Sequence, residues 1–314
     1  MDCSSSTLSL LRAAHPAVFV NPRAGSGRAR EYLTGIQVLF RSLEIPAKWI
    51  TPDSADELAS AASTAISAGH KALFAMGGDG TFQALANSVH GTDAIVGLLP
   101  SGGGNDFAAA AGIPNHPVRA AEALVRGRIR SVDLVRARTA DGHVRLYAGG
   151  GGVGLDAEAA RHASGKYRKL PGRLRYIASA LRALAGYTPL EVQLEFPGGD
   201  EKVFCGKALL AGVLNTPTYG SGLRLAPGAT LDDGLLHVVL VEDLAALEVL
   251  VILPRLVASG ELRTDRVKRW QVQRVRLITN RPCLFHGDGE ILGPTPVDLE
   301  LARDAVRLLV PAST

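Results

Sequence analysis

Lys71-Ala72-Leu73-Phe74-Ala75-Met76-Gly77-Gly78-Asp79-Gly80-Thr81-Phe82-Gln83 reads in two halves. Lys71 to Met76 is a short apolar run, which predicts a buried strand. Gly80 to Val89 carries apolar residues at helical spacing, which predicts a helix. The joint between them is a glycine pair, an acid and a third glycine. Glycines let backbone approach an anion because no Cβ intervenes. A helix start aims N–H groups and a positive dipole end at it. The string therefore predicts a phosphate-binding turn. An acidic residue inside such a turn repels phosphate, so Asp79 is expected to face a cation or to organise the loop. A plain strand-to-helix turn is the bland alternative.

Working outward, strand and helix alternate through the first third. Strands are expected over Ala17–Asn21, Ala47–Thr51 and Ala94–Leu99, with helices over Gly27–Leu43 and from Ser54 through Ala68. Ser54 and Glu57 have capping-box spacing. This order predicts a mostly parallel sheet covered by helices, with ligands beyond the C-terminal strand ends. Two further glycine-rich loops fall there: Asn21-Pro22-Arg23-Ala24-Gly25-Ser26-Gly27 after the first strand, and Pro100-Ser101-Gly102-Gly103-Gly104-Asn105-Asp106 after the fourth. Each alone is a weak signal. Three on one sheet edge predict a single nucleotide cleft.

After about Ser131 the pattern changes to strand-like runs: Val144–Ala148, Leu190–Phe196, Val203–Asn215, Leu235–Val241, Trp270–Ile278 and Val306–Val310. Helical stretches intervene near Leu174–Gly186 and Leu244–Ser259. A second, largely antiparallel domain is expected. Gly149–Gly154 reads as low complexity. It also satisfies G-x-G-x-x-G, but the region some 20 residues on, Lys169–Arg175, is basic and holds Pro171 where a dinucleotide fold needs an acid.

The chain has 314 residues, 46% hydrophobic and 20% charged, a globular composition with room for two domains. Its most apolar stretch, Leu235–Val257, is interrupted by charges and Pro254, whereas a membrane span needs about 20 nearly uncharged residues. Met1–Ala14 lacks the basic and apolar regions of a secretory signal and is expected to be a frayed tail. Cys3, Cys205 and Cys283 form neither a metal pattern nor a disulfide framework, pointing to a reducing, cytoplasmic setting. The formal net charge of +4 does not argue for nucleic acid. The charge is unevenly spread. Arg161, Lys166, Arg168, Lys169, Arg173, Arg175 and Arg182 share a stretch with no acid, which reads either as a solvated face or as a surface for anionic lipid head groups.

The strings NPRAGSG, GGDGT and PSGGGNDF resemble the diacylglycerol kinase catalytic domain family, which includes bacterial lipid kinases, sphingosine kinases and ceramide kinases. The resemblance continues through Gly152–Ala157, through Pro227–Leu236 (PGATLDDGLL) and through Asp288-Gly289-Glu290. The motifs stand in family order from about Ala17 to Val310. GGDGT alone is shared with NAD kinases, while the late acidic strings favour the lipid kinase branch.

The resemblance implies a fold: an α/β nucleotide domain over residues 15–131, a β-sandwich domain over 132–296, and a C-terminal segment, 297–314, returning to the first. It also implies roles. Asn21, Pro22, Arg23, Ala24, Gly25, Thr51, Gly77, Gly78, Asp79, Gly80, Thr81, Phe82 and Gln83 would hold ATP, with Gly103 in the third loop. Asp233 would hold Mg²⁺ with backbone carbonyls near Thr230 and Leu235. Glu290 would be the general base, with Asp288 beside it. The chemistry agrees, since phosphoryl transfer needs positioning, charge neutralisation and a carboxylate to take the hydroxyl proton. Asp-Gly is also an ordinary hairpin signal. The family has Thr where this chain has Gly103, which removes about one hydrogen bond to the nucleotide, about 0.5–1.5 kcal/mol net. His286 lies near the acidic pair and reads as a bystander in a loop.

The expected activity is Mg²⁺-dependent transfer of a phosphoryl group from ATP to a hydroxyl of a lipid at a membrane surface, by a cytoplasmic, peripheral protein. Phosphorylation of a soluble substrate, as in NAD kinases, and a catalytically silent nucleotide or lipid sensor are the alternatives.

Overall fold

The computed structural model describes residues 3–27, 29–155, 157–158, 178–179, 182–183, 187–198, 203–220, 222–244, 248 and 265–312. The chain divides into two compact units, residues 1–132 with 304–314, and residues 133–303.

In the first unit, strands β1 (Ala17–Val20), β2 (Lys48–Ile50), β3 (Ala72–Gly77) and β4 (Ile95–Pro100) are parallel in the order β2-β1-β3-β4. Near the C-terminus, Arg307 and Leu308 lie parallel beside Ile95 and Val96 of β4. Every residue of β1, β3 and β4 is buried, as expected of parallel strands covered on both faces.

Helix α1 spans Cys3–Ala14, so the expected frayed tail is a helix. Thr7, Leu11 and Ala14 recur at helical spacing and are buried, and Thr7 Oγ1 donates to the Gly127 carbonyl at 2.6 Å. Burial of this stripe, which the serine-rich composition conceals, offsets the weak helix propensity of the segment. Helix α2 (Ala29–Ser42) buries Ile36 and Phe40, whose ring meets Phe74 edge-on at 5.7 Å. In α3 (Ala55–Ser67), Ser54 accepts from Glu57 N at 3.1 Å, while the Glu57 carboxylate reaches one residue further back than a capping box requires, to Asp53 N. Helices α4 (Asp79–Val89), α5 (Asp106–Ala110) and α6 (Pro117–Leu124) complete this unit.

The second unit is built on antiparallel ladders. Its strands are β5 (Arg128–Arg138, entering from the first unit), β6 (Val144–Tyr147), β7 (Gly150–Gly154), β8 (Leu190–Glu195), β9 (Val203–Leu214) and β10 (Leu236–Glu242). Then follow β11 (Val267–Val272), β12 (Arg274–Thr279), β13 (Leu284–Gly287), β14 (Glu290–Pro294) and β15 (Val297–Val310), whose last residues belong to the first unit. β9 pairs with β8 along its first half and with β7 and β10 along its second. Tyr147, Val153, Leu194, Val213, Val238 and Phe285 anchor the core among these strands.

Two expectations are corrected here. Trp270–Ile278 is not one strand, because the chain changes partners at Gln273: β11 pairs with β10, and β12 with β8 and β15. The low-complexity run Gly149–Gly154 forms strand β7 from Gly150 onward, and its glycines answer to packing. A Cβ at Gly151 would lie 2.3 Å from the His286 carbonyl oxygen, and one at Gly150 would lie 2.7 Å from the Tyr219 ring. The expected helices near 174–186 and 244–259 fall almost wholly outside the described residues. So does the basic stretch, apart from Arg182.

Candidate active site

In the first unit the loops after β1, β3 and β4 are tied to one another. Chain order reverses between neighbouring β1 and β3, the place where open parallel sheets bind ligands. Asn21 follows β1. Its backbone N donates to the Met76 carbonyl at 2.9 Å, and its Nδ2 to Thr81 Oγ1 at 3.0 Å. Its Oδ1 accepts from Arg23 N at 3.0 Å, which folds the turn containing Pro22, Ala24 and Gly25. Gly78 precedes α4 with no side-chain cap. A Cβ on Gly102 would sit 2.6 Å from the Gly78 Cα, so the two loops touch backbone to backbone. Asn105 is buried in a left-handed conformation (φ 61°) and exchanges hydrogen bonds with Gly102 N and O, each at 3.1 Å.

The Asp79 carboxylate spans these loops. Oδ2 accepts from Asp106 N at 3.3 Å and Oδ1 from Phe107 N at 3.2 Å. Of its two expected roles, loop organisation is the one this geometry serves. Phe82 is buried, stacked on Phe107 at 4.3 Å, so its side chain belongs to the core. Gln83 is buried too, and its Nε2 has no hydrogen-bond partner among the described residues. Thr51, immediately after β2, and Gly103, between the tied residues of the third loop, are exposed. Gly77 and Gly80 flank the joint between β3 and α4.

In the second unit, Asp288 and Gly289 form the two-residue turn of the β13–β14 hairpin, with φ 51° and 86° and Gly287 opposite Glu290. Positive φ at both positions is the tight-hairpin geometry that favours Asp-Gly. Asp288 Oδ2 accepts from Ala148 N at 2.7 Å, and Oδ1 from Gly149 N at 2.8 Å and Gly150 N at 3.2 Å. Burial pushes its carboxyl up to about 6, while the three amides and His286 pull the other way. Its charge and, chiefly, burial raise the Tyr147 phenol well above its usual range. His286 is not in a loop. It lies buried on β13, 2.6 Å through Nε2 from the Tyr219 hydroxyl. Glu290, two residues beyond Asp288, is exposed.

The second acidic string folds as a tight turn. Asp233 Oδ2 accepts from Thr230 N and Oδ1 from Leu235 N, both at 2.9 Å. His237 Nε2 also meets Oδ2, at 2.9 Å. Oδ1 thus accepts one bond and keeps a lone pair. The Thr230 carbonyl, on the same turn, accepts from Asp233 N at 3.4 Å, and carboxylate and carbonyl oxygens are the donor type that suits Mg²⁺. Among the described residues no group of three or more His, Cys, Asp or Glu side chains converges, so a metal here would depend on backbone carbonyls and water. Asp133 on β5 is buried and accepts from Gly234 N at 3.1 Å, holding the turn from behind. Asn215, fully buried after β9, bonds the carbonyls of Asp133 and Ala148. Pattern reading passed over Asp133, Asn215 and His237, because a single polar residue in or beside an apolar run carries no periodic signal.

Comparison with known proteins matches both units. Residues 15–137 match the diacylglycerol kinase catalytic domain, and residues 151–310 the YegS C-terminal NAD kinase beta sandwich-like domain. A diacylglycerol kinase of Mycobacterium tuberculosis is 27% identical over 293 residues, 93% of each chain. A probable YegS-like lipid kinase of Pseudomonas fluorescens is 31% identical over 249 residues, 79% of this chain and 80% of that one. A solved structure of a putative diacylglycerol kinase from Bacillus anthracis superimposes with a TM-score of 0.77 at 19% identity, covering 95% of this chain and 97% of that one. With an N-terminal parallel α/β unit, a β-sandwich-like unit and these matches along nearly its whole length, the chain belongs to the diacylglycerol kinase catalytic domain family of ATP-dependent lipid kinases.

Proposed function

We propose that the protein transfers the γ-phosphoryl group of ATP to a hydroxyl of a diacylglycerol- or sphingoid-type lipid, with Mg²⁺. The observation that carries this reading is the β13–β14 hairpin, which braces one carboxylate, Asp288, against three amides and leaves a second, Glu290, exposed two residues away. Two carboxylates so divided suit one brace and one base. Glu290 takes the proton of the acceptor hydroxyl as the oxygen attacks phosphorus, and Asp288 holds the turn that presents it. The knotted loops of the first unit, Asn21–Gly25, Gly77–Gln83 and the loop of Gly103, together with Thr51, hold the nucleotide. Their backbone N–H groups and the start of α4 meet its phosphates. Asp233 and the carbonyls of Thr230 and Leu235 would hold Mg²⁺, which when bound neutralises phosphate charge.

The Mycobacterium tuberculosis relative is named a diacylglycerol kinase, which makes diacylglycerol the first acceptor to try. Among the described residues no helix is long and apolar enough to cross a membrane. A peripheral approach from the cytoplasmic side, through the basic stretch 161–182, would bring the protein to its acceptor.

The test offers purified protein labelled ATP with diacylglycerol, sphingosine and NAD in separate reactions. Label is expected in a lipid, and Glu290→Gln should lower turnover by about 10²–10⁴-fold with ATP affinity kept. Label in NAD alone, or in none of the three, overturns the reading. Full turnover by Glu290→Gln moves the base to Asp288.

A further inference from the structure

We propose that Asn215 is a positioning residue for phosphoryl transfer, its side-chain amide joining the backbone that holds the Asp233 turn to the backbone that holds the Asp288–Glu290 hairpin. The proposal rests on the kinase reading above and adds a residue to it.

Asn215 Nδ2 donates to the Asp133 carbonyl at 2.8 Å and to the Ala148 carbonyl at 3.1 Å. Its backbone N donates to the Gly149 carbonyl at 2.8 Å. Each of those partners leads directly to an acidic motif. Asp133 N donates to the Leu231 carbonyl at 2.7 Å, and Asp133 Oδ2 accepts from Gly234 N at 3.1 Å, so Asp133 grips the Asp233 turn at both ends. Ala148 N donates to Asp288 Oδ2 at 2.7 Å, and Gly149 N to Asp288 Oδ1 at 2.8 Å. One nitrogen on a fully buried side chain therefore bonds both the residue that grips the backbone of the Asp233 turn and the residue whose amide meets the Asp288 carboxylate.

Stability alone does not account for an amide here. Asn215 Oδ1 is buried with no hydrogen-bond partner among the described residues. Leaving a buried acceptor unmade is costly, and a partly satisfied buried polar group is a poorer core element than an apolar one. What the amide supplies is a two-way donor that neither Leu nor Asp offers.

The titratable groups around Asp288 are His286 on β13, Tyr147 on β6 and Glu290 across the turn. None of the three is a hydrogen-bond partner of Asn215. Loosening Ala148 weakens an amide bond to the ionised carboxylate, and losing a donor to the charged form raises a pKa. The acidic limb of the pH–rate profile should therefore move to higher pH.

The experiment compares the full-length protein with Asn215→Ala and Asn215→Asp, the second being nearly isosteric but setting a carboxylate against two carbonyl oxygens. Hydrogen exchange is read at the amides of 148–150 and of 230–235. Steady-state kinetics is read across pH. Protection should fall in both segments at once. Turnover should fall tenfold or more, ATP KM should stay within about twofold, and the acidic limb should rise. Loss of protection confined to 213–217, with turnover per folded molecule and pH profile unchanged, overturns the proposal. If Asn215→Asp does not fold, Asn215→Ala and Asn215→Ser are read the same way. If the unmutated protein phosphorylates no lipid, the kinase reading falls and the catalytic role of Asn215 with it, whereas kinase activity that Asn215→Ala leaves intact overturns this proposal alone.

Discussion

Asp288 illustrates how one residue carries opposed demands. The left-handed backbone places its carboxylate where three amides converge, and the same burial raises its pKa to about 6. In the fold the protonated form is favoured relative to the unfolded chain, where the ordinary value is 3.8. The stability Asp288 contributes is thus full below about pH 3.8 and is lost as pH rises through about 6. Activity runs the other way, because only the ionised carboxylate accepts all three amide bonds and braces the hairpin. Turnover should rise through about pH 6 to a plateau. Over the same window the melting temperature of the natural protein should fall relative to Asp288→Asn. Melting curves for the two proteins that keep a constant separation from pH 4 to 7 would contradict this account. At this scale the acids themselves were legible, since Asp-Gly strings announce turns. His286 was misread as a loop residue. Its place on a strand depends on pairing with Gly152 of β7, 134 positions earlier in the chain, which no local pattern reveals.

At the scale of elements, Asp79 does the work of a joint. It begins α4, and both of its carboxylate oxygens accept amides at the start of α5, so two helices on neighbouring strands share one anion. Asp79→Ala removes a cap of the kind that contributes about 0.5–2 kcal/mol. It also frees Gly102 to move against Gly78. The variant should remain folded with a lowered melting temperature, and ATP binding measured by calorimetry should weaken severely. Undiminished ATP affinity would show that the loops hold their shape without it. The strand-helix alternation around this joint was plain in the sequence, because parallel strands are apolar runs and α3 carries its own cap at Ser54. Helix α1 was not. Its buried stripe of Thr7, Leu11 and Ala14 is short, partly polar and set among serines, and it becomes a helix face only when something is there to cover it.

For the molecule as a whole, the open question is how a chain with no spanning helix among its described residues meets a lipid acceptor. The stretch 161–182 carries seven basic residues and no acid. Each basic group near an anionic surface contributes about 1 kcal/mol, screened within a Debye length. Sedimentation with vesicles containing anionic lipid should therefore show binding that weakens as salt rises. Replacing Lys166, Arg168 and Lys169 with Ala should weaken it further. Equal partition onto neutral and anionic vesicles would assign this cluster to an ordinary solvated surface.

The fold class and the order of the chemical motifs were determined by the sequence alone. Buried parallel strands, helix starts and Asp-Gly turns are local events, governed by side-chain period and backbone preference over a few residues. The supports of the acidic motifs were decided only by tertiary structure. Asn215, Asp133, Ala148 and Asp288 find their hydrogen-bond partners 67 to 140 residues away. Such pairs are selected by how antiparallel strands stack and by which polar groups are left inside when they do. A buried carboxamide and an exposed one are the same letter, and packing alone tells them apart.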